Sequence, residues 1–178
     1  MRNTGAVVAA LFACGVVGTA QDAPAEKYVS KDGGYAIRFP AGLEVKTSRQ
    51  DVPGGLRSYL ASAFDKAERR TYVVTYTPHM KGVLKTQAKA VLDLGEKLTL
   101  NVANTTKVSV RDFTVGKQKY PARDILSLRD GNQTLTRFVL ADPMLYTLVV
   151  GGPKEFASGK EATEFVDSLE LMPIPKAK

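Results

Sequence analysis

The chain has few of the residues that build metal centres, redox sites and nucleophilic active sites. Its 178 residues include one cysteine, Cys14, one histidine, His79, and no tryptophan. Zinc and copper sites usually combine several histidine or cysteine ligands, so we expect no such centre. An intramolecular disulfide needs two cysteines, so the fold must be held together by packing alone.

Long apolar runs are also scarce, and the clearest one lies at the N-terminus. Arg2 precedes an apolar run from Gly5 to Val17, which ends in the small residues Gly18-Thr19-Ala20. This order is typical of a secretory signal peptide, and we predict a leader at 1–20 with cleavage after Ala20. The run is shorter than the ~20 apolar residues that span a bilayer, which argues against a membrane anchor.

Cys14 leaves one alternative open for the N-terminus. Leu11-Phe12-Ala13-Cys14 resembles the cleavage box of bacterial lipoproteins, in which the cysteine carries the lipid. Phe12 stands where that box has a small residue, and apolar sequence continues past Cys14. We therefore favour loss of Cys14 with the leader and keep a lipid anchor as the alternative. The exported product is expected in the periplasm or outside the cell.

Positive side chains outnumber negative ones, with 25 Lys+Arg against 18 Asp+Glu and a net charge of +7. The leader holds one of these charges, Arg2, so its loss leaves +6. Such a surface suits an anionic partner, either a protein or another acidic macromolecule. Nucleic acid is not expected for an exported chain without an RNA-binding module. Solubility alone is the simpler explanation of the excess charge.

Hydrophobic periodicity predicts strands on both sides of a long helix. Alternating apolar and polar side chains predict strands that begin at Tyr35, Leu56 and Tyr72. In the second of these, Leu56, Leu60 and Phe64 lie on one face. Between Val83 and Val102 the spacing changes to three and four residues and predicts an amphipathic helix. The apolar side of that helix is Leu84, Ala88, Val91, Leu94 and Leu98.

The second half returns to strands and closes with a helix. Asp130-Gly131-Asn132 predicts a hairpin turn, and the most apolar segment, Met144 to Val150, predicts the central strand. Ser158 and Glu161 have capping-box spacing, and the apolar face that follows is Ala162, Phe165, Val166 and Leu169. The expected organisation is a polar tether at 21–27, one domain at 28–172 and a basic tail at 173–178. Its fold class is α+β, a mainly antiparallel sheet packed between or against amphipathic helices as an α/β/α sandwich.

The order of elements and several motifs resemble the PsbP-like superfamily, particularly its small exported bacterial members. The matching segments are Gly34-Tyr35-Ala36-Ile37-Arg38-Phe39-Pro40, Tyr120-Pro121-Ala122-Arg123, Leu145-Tyr146-Thr147-Leu148-Val149-Val150 and Phe165-Val166-Asp167-Ser168-Leu169. The resemblance covers about residues 28 to 171 and implies an antiparallel sheet between helices. Photosynthetic members are accessory subunits of photosystem II, and a related eukaryotic branch binds a small GTPase. These segments are packing and turn residues, so the resemblance assigns no functional residue.

The sequence contains no recognisable catalytic set. His79 lies in a loop, but no Gly-x-Ser-x-Gly motif supplies a nucleophile for it, and we interpret it as a solvated or helix-start residue. Gly151-Gly152-Pro153-Lys154 lacks both phosphate-binding glycine spacings. Acidic residues are scattered rather than paired as glycoside hydrolysis requires. We therefore predict no catalytic, cofactor-binding or metal-binding residue.

One clustered feature suggests an interaction surface. Lys81, Lys85 and Lys89 are four residues apart and are a candidate face for an anionic partner, although such stripes are more often solvated helix surfaces. The function we expect is that of a non-catalytic exported binding or accessory module for another envelope or secreted macromolecule. The alternative is a small-molecule-binding protein or hydrolase whose site is assembled from dispersed residues such as His79.

Overall fold

A computed structural model describes residues 26–52, 55–79, 81–153 and 155–173. Its strands and helices are β1 (Glu26–Ser30), β2 (Tyr35–Phe39), β3 (Lys46–Val52), β4 (Leu56–Asp65), β5 (Arg70–Pro78), α1 (Val83–Thr86), α2 (Ala88–Leu100), β6 (Thr105–Val115), β7 (Tyr120–Arg129), β8 (Asn132–Ala141), β9 (Met144–Pro153), α3 (Lys160–Asp167) and β10 (Glu170–Leu171). The expected leader, Cys14, residues 21–25 of the tether and residues 174–178 of the tail lie outside the described residues. The last two tether residues, Glu26 and Lys27, belong to β1.

The strands form two antiparallel sheets. The larger has seven strands in the order β3-β4-β5-β9-β8-β7-β6, and the smaller has three in the order β1-β2-β10. β9 lies in the middle of the large sheet, which confirms the prediction made from its apolar sequence. Asp130 and Gly131 have positive φ angles of 48° and 77° in the β7–β8 hairpin, the pair of values that a type I′ turn requires.

The main core lies between one face of the large sheet and a layer made of the small sheet and α3. Tyr35, Ile37 and Phe39 of β2 are at most 1% exposed. Phe165 of α3 contacts the ring of Phe39 at 5.2 Å between centroids and that of Tyr72 at 5.3 Å. The expected apolar face of α3 is buried, and the α+β class is confirmed.

On the opposite face of the large sheet, α1 and α2 pack against β6, β7 and β8. Here the prediction of one helix from Val83 to Val102 is wrong, because Gln87 separates two helices. Leu94 and Leu98, expected to be buried, are 55% and 62% exposed, whereas Leu92 and Gly95 face the sheet. A Cβ on Gly95 would lie 3.0 Å from the Phe138 ring, so glycine permits this close approach and sets the rotation of α2.

Two smaller predictions have different outcomes. Leu56, Leu60 and Phe64 share one face of β4, but the buried residues of this strand are Ser58, Ala61 and Ala63, and Phe64 is 53% exposed. At α3 the N-cap is Gly159 and no side chain caps the helix. Glu161 accepts a hydrogen bond from Tyr72 of β5 instead of closing a capping box.

Candidate functional site

A basic cleft of about 470 Å³ lies beside α1, at one end of the large sheet. The buried Leu84 anchors α1, and the next residue, Lys85, projects into the cleft. Lys119 enters from the β6–β7 turn, where Gly116 and Lys119 have φ angles of 71° and 54°. The lining residues are Lys85, Gln118, Lys119, Tyr120, Pro121, Leu140 and Asp142. We call this site the lysine cleft.

The lysine cleft has a net positive character despite Asp142. Both oxygens of the Asp142 carboxylate accept the backbone N–H of Gly82, at 2.9 and 2.7 Å, and this single negative charge faces two lysines. Lys85 and Lys119 form no ion pair within the described residues. Two unpaired ammonium groups beside the Tyr120 and Gln118 side chains can therefore hold an anionic group of a partner.

The three lysines singled out in the sequence do not form one stripe. All three are exposed, but Lys81 lies in the turn before α1, Lys85 lines the lysine cleft and Lys89 lies on α2, beyond the break at Gln87. Lys89 donates to the Asp93 carboxylate at 2.6 Å, and hydrogen bonds from Lys89 and Arg123 lower the pKa of Asp93. Lys85 is thus the member of the set that lines a cleft, together with Lys119, which sequence spacing could not connect to it.

His79 lies between β5 and α1 and is held by its backbone. Its N–H donates to the carbonyl of Pro143 at 2.7 Å. Its Nε2 atom is buried and has no hydrogen-bond partner among the described residues. Burial lowers the pKa of His79, against an opposing effect of the Asp142 charge. Burial of this nitrogen thus favours the neutral imidazole over the charged form.

A second cleft, of about 350 Å³, lies where the two sheets separate. Tyr59 and Tyr76 stack with centroids 4.8 Å apart and planes 9° apart, and Tyr35 meets Tyr76 edge to face at 5.9 Å. Tyr28 adds a fourth ring, 6.1 Å from Tyr35. We call this site the tyrosine cleft. It was missed in the sequence because its rings come from β1, β2, β4 and β5, and only the pairing of the strands brings them together.

Metal binding has no support in the described part of the chain. No group of three or more His, Cys, Asp or Glu side chains there could hold a metal ion. The acidic residues of α2 and β6 surround a cation instead: Arg123 contacts Asp93 and Glu96, both at 3.0 Å, and Asp112 at 2.5 Å. These contacts join α2 to β6 and β7 and are structural.

Comparison with known proteins identifies the fold through solved structures rather than through sequence. No protein-family model matches the chain, and no curated protein matches it. The solution structure of cyanobacterial PsbP (CyanoP) from Synechocystis sp. PCC 6803 superposes with a TM-score of 0.57 at 17% identity, covering 90% of this chain and 98% of that one. The chain has the PsbP-like fold.

A second solved structure is also similar in fold. A Bacteroides thetaiotaomicron protein matches with a TM-score of 0.50 at 12% identity, over 84% of this chain and 49% of that one. At these identities the likeness extends to the fold alone. Among the residues that the structure describes, no helix is long and apolar enough to cross a membrane.

Proposed function

We propose that the chain is a non-catalytic, exported binding or accessory protein that contacts an acidic surface of another protein of the envelope or the extracellular space. The observation that carries this proposal is the lysine cleft, where Lys85 and Lys119 lie together without an ion-pair partner in the described part of the chain. An unpaired pair of cations in a concave surface favours a complementary anionic partner.

Two further observations agree with a binding role rather than catalysis. The single histidine has a buried Nε2 atom with no hydrogen-bond partner among the described residues. The PsbP-like superfamily, which the sequence resembles and whose fold the chain has, implies accessory functions. The apolar leader expected at 1–20 supports export.

Affinity capture from the envelope fraction of the source cell tests the proposal, with the purified protein as bait at low and high salt. We expect one stoichiometric partner that is retained at ~0.1 M salt and lost at ~1 M, where the screening length falls to about 3 Å. The double variant Lys85→Glu/Lys119→Glu should lose the partner at low salt. No partner at either salt would contradict the proposal.

A matched control distinguishes an effect of the lysine cleft on binding from an effect of the net charge of the protein. Lys66 and Lys97 are exposed lysines outside the lysine cleft, without an ion pair in the described residues. The variant Lys66→Glu/Lys97→Glu changes the net charge by the same amount and should keep the partner. Equal loss in both variants would assign binding to overall charge and not to the lysine cleft. Turnover of a substrate, abolished by His79→Ala, would support the hydrolase alternative instead.

A further inference from the structure

The outer helices cover the large sheet unequally. α1 and α2 pack against β6, β7 and β8, where the buried Leu84 and Leu92 lie against Leu140 of β8. Beyond β8 the sheet continues through β9, β5 and β4. The side chains that these three strands turn away from the core are half-buried or exposed, and Phe64 of β4 is 53% exposed. This part of the sheet is therefore packed on its core face and open on its outer face.

Strand register identifies the outward residues. Phe138 of β8 lies on the helix side of the sheet, against Gly95 of α2. In the pairing of the strands, Phe138 is opposite Thr147 of β9, Thr147 is opposite Thr75 of β5, and Thr75 is opposite Leu60 of β4. Directly opposite residues share a face, so this row continues outward from beneath α2. The next two rows are Val149–Val73–Ser62 and Gly151–Thr71–Phe64. We call the outward residues of 60–64, 71–75 and 147–151 the open face.

The open face carries no charge. Its residues are apolar, hydroxyl-bearing or glycine, and the Thr75 hydroxyl donates to the carbonyl of Thr147 at 3.3 Å. The first charged residue along these rows is Lys46 of β3, which is opposite Ser62 and pairs with Glu44 at 3.5 Å. Charged residues make up 24% of the chain, so a surface of this size without any charge differs from the rest of the protein. Uncharged, partly apolar patches of a few hundred Å² mark interaction sites.

Two leucines of α2 stand beside the open face. Leu94 and Leu98 are 55% and 62% exposed. Each is two residues from Glu96, which pairs with Lys107 of β6 at 3.2 Å. Two residues turn an α-helix by about 200°, so both leucines lie on the side of α2 opposite Glu96. Because Glu96 faces β6, the leucines face β9 and the open face. We call Leu94 and Leu98 the leucine ridge.

The leucine ridge and the open face are complementary and lie side by side. One protrudes from the helix layer, the other is the sheet surface beneath that layer, and neither is charged. A two-fold contact uses the same patch on both partners, so the patch must contain both features. Rotation of a second copy about such an axis places each leucine ridge on the open face of the other copy.

Charge and area both favour a second copy as the occupant. The chain carries a net charge of +7, and two copies repel wherever charged surfaces meet, so an uncharged patch avoids that repulsion. Three strands about 4.8 Å apart, with rows about 6.8 Å apart, make the open face roughly 14 Å by 20 Å. α2 has 13 residues and adds a strip about 20 Å long and 10 Å wide. The two copies together would bury about 1,000 Å², the lower limit for a specific interface, so the dissociation constant should be on the order of 10 µM.

We propose that two copies of the chain form a symmetric dimer in which the leucine ridge of each copy packs on the open face of the other. The contact extends the outer layer of each sheet over β9, β5 and β4, where the helices of the same copy do not reach. Lys85 and Lys119 lie outside both surfaces, so the dimer presents two lysine clefts. This inference does not depend on the proposed binding function.

Sedimentation equilibrium of the purified protein tests the dimer between about 1 and 500 µM, a range that spans the expected dissociation constant. We expect the average mass to rise from that of one chain toward that of two. The rise should be as large at ~1 M salt as at ~0.1 M, because screening does not weaken an uncharged contact. A single-chain mass throughout the range would overturn the proposal. A dimer that dissociates at high salt would also overturn it, since such a contact depends on charges.

Variants with matched charge locate the contact. Leu94→Glu/Leu98→Glu places two charges on the leucine ridge and should raise the dissociation constant about 100-fold or more, because both charges would be buried on the open face. Val29→Glu/Val108→Glu is the control, since both valines are 49% exposed and lie on β1 and β6, outside the two surfaces. It makes the same change in charge and should leave the dissociation constant unchanged. Urea unfolding confirms that both variants fold. Equal effects of the two variants would contradict the proposed contact.

NMR identifies which surfaces meet between the copies. In a mixture of ¹³C-labelled and unlabelled protein, isotope-filtered NOE spectra report only contacts between two copies. They should link the methyl groups of Leu94 and Leu98 in one copy to those of Val73 and Val149 in the other, because packed side chains approach within about 4.5 Å. Intermolecular NOEs confined to other residues would overturn the proposal.

One further outcome would assign the open face to a different occupant. A monomeric protein whose envelope partner is lost in Leu94→Glu/Leu98→Glu would show that the partner, and not a second copy, covers the open face. The salt-sensitive capture that depends on Lys85 and Lys119 is measured separately. Failure of the dimer can therefore be distinguished from failure of the proposed function.

Discussion

Arg137 of β8 and Asp124 of β7 form a buried bidentate ion pair, with Nε–Oδ1 and Nη2–Oδ2 distances of 2.7 and 2.9 Å. Their side chains are 5% and 11% exposed. Arg137 also reaches Asp167 of α3 at 2.6 Å, and Asp124 accepts from Arg111 of β6 at 2.9 Å. Burial lowers the pKa of Arg137, but the bonds and charges of Asp124 and Asp167 outweigh it and raise that pKa. One pair thus connects three strands and a helix.

Removal of Asp124 should destabilise the protein strongly. Asp124→Ala leaves the Arg137 guanidinium buried without its main counter-ion, and breaking a buried pair in this way costs about 3–5 kcal/mol. Asp167→Ala removes the second partner of the same arginine, but Asp167 is 58% exposed, so we expect a loss of about 1 kcal/mol or less. Urea unfolding of both variants measures the difference. Equal losses would show that Arg137 does not depend on the buried partner.

The contact between Gly95 and Phe138 should limit the size of residue 95. Gly95→Val places methyl groups against a ring that a Cβ alone would approach to 3.0 Å, and overpacking of this kind costs about 1–3 kcal/mol. Thermal or urea unfolding measures the loss. Ala90→Val, at an exposed position of the same helix, should cost no more than about 0.7 kcal/mol through helix propensity.

A second substitution checks that Phe138 is the cause. Phe138→Leu makes room at the same contact, so the double variant Gly95→Val/Phe138→Leu should be more stable than the sum of the two single losses implies. Additive losses of unfolding free energy would show that the valine clashes with residues other than Phe138.

His79 should make stability depend on pH in the mildly acidic range. Burial lowers its pKa in the folded state below the ordinary 6.5, so the unfolded chain binds more protons between those two values. The contribution of His79 is therefore complete above about pH 6.5 and is lost as the pH falls toward the folded-state pKa. His79→Leu should remove this slope from unfolding free energies measured between about pH 5 and 7. An unchanged slope in the variant would assign the dependence to other groups.

Much of the fold could be predicted from the sequence because its signals are local. Alternation located most strands, the Asp130-Gly131 turn fixed a hairpin, and the most apolar strand, β9, is central. The rotation of α2 could not be predicted, because it depends on a glycine meeting the Phe138 ring of a distant strand. Leu94 and Leu98 matched the helical period yet lie on the exposed side.

The candidate sites were less predictable than the fold. Lys85 was singled out, but its neighbour in the cleft, Lys119, is 34 residues away and is brought close by the β6–β7 turn. The tyrosine cleft depends on where two separate sheets end, which no local pattern encodes. Long-range strand order is therefore the information that the sequence alone did not supply.

The start of α3 offers a direct comparison between a sequence motif and the observed contacts. In a capping box, Ser158→Ala would cost about 1 kcal/mol, but Ser158 bonds to Glu155 and Gln133 rather than to the helix, so we expect less than about 0.5 kcal/mol. Glu161→Ala should cost more, about 1–3 kcal/mol, because the buried Tyr72 hydroxyl loses its acceptor and Arg70 loses a partner at 2.7 Å.

The background Tyr72→Phe separates these two effects of Glu161. Without the hydroxyl, Glu161→Ala should cost only the partly exposed pair with Arg70, about 1 kcal/mol or less. Urea unfolding of the two single variants and the double variant gives the coupling between Tyr72 and Glu161. A coupling free energy near zero, together with a stability loss of about 1 kcal/mol for Ser158→Ala, would show that Ser158 and Glu161 cap the helix. That result would contradict the observed role of Glu161.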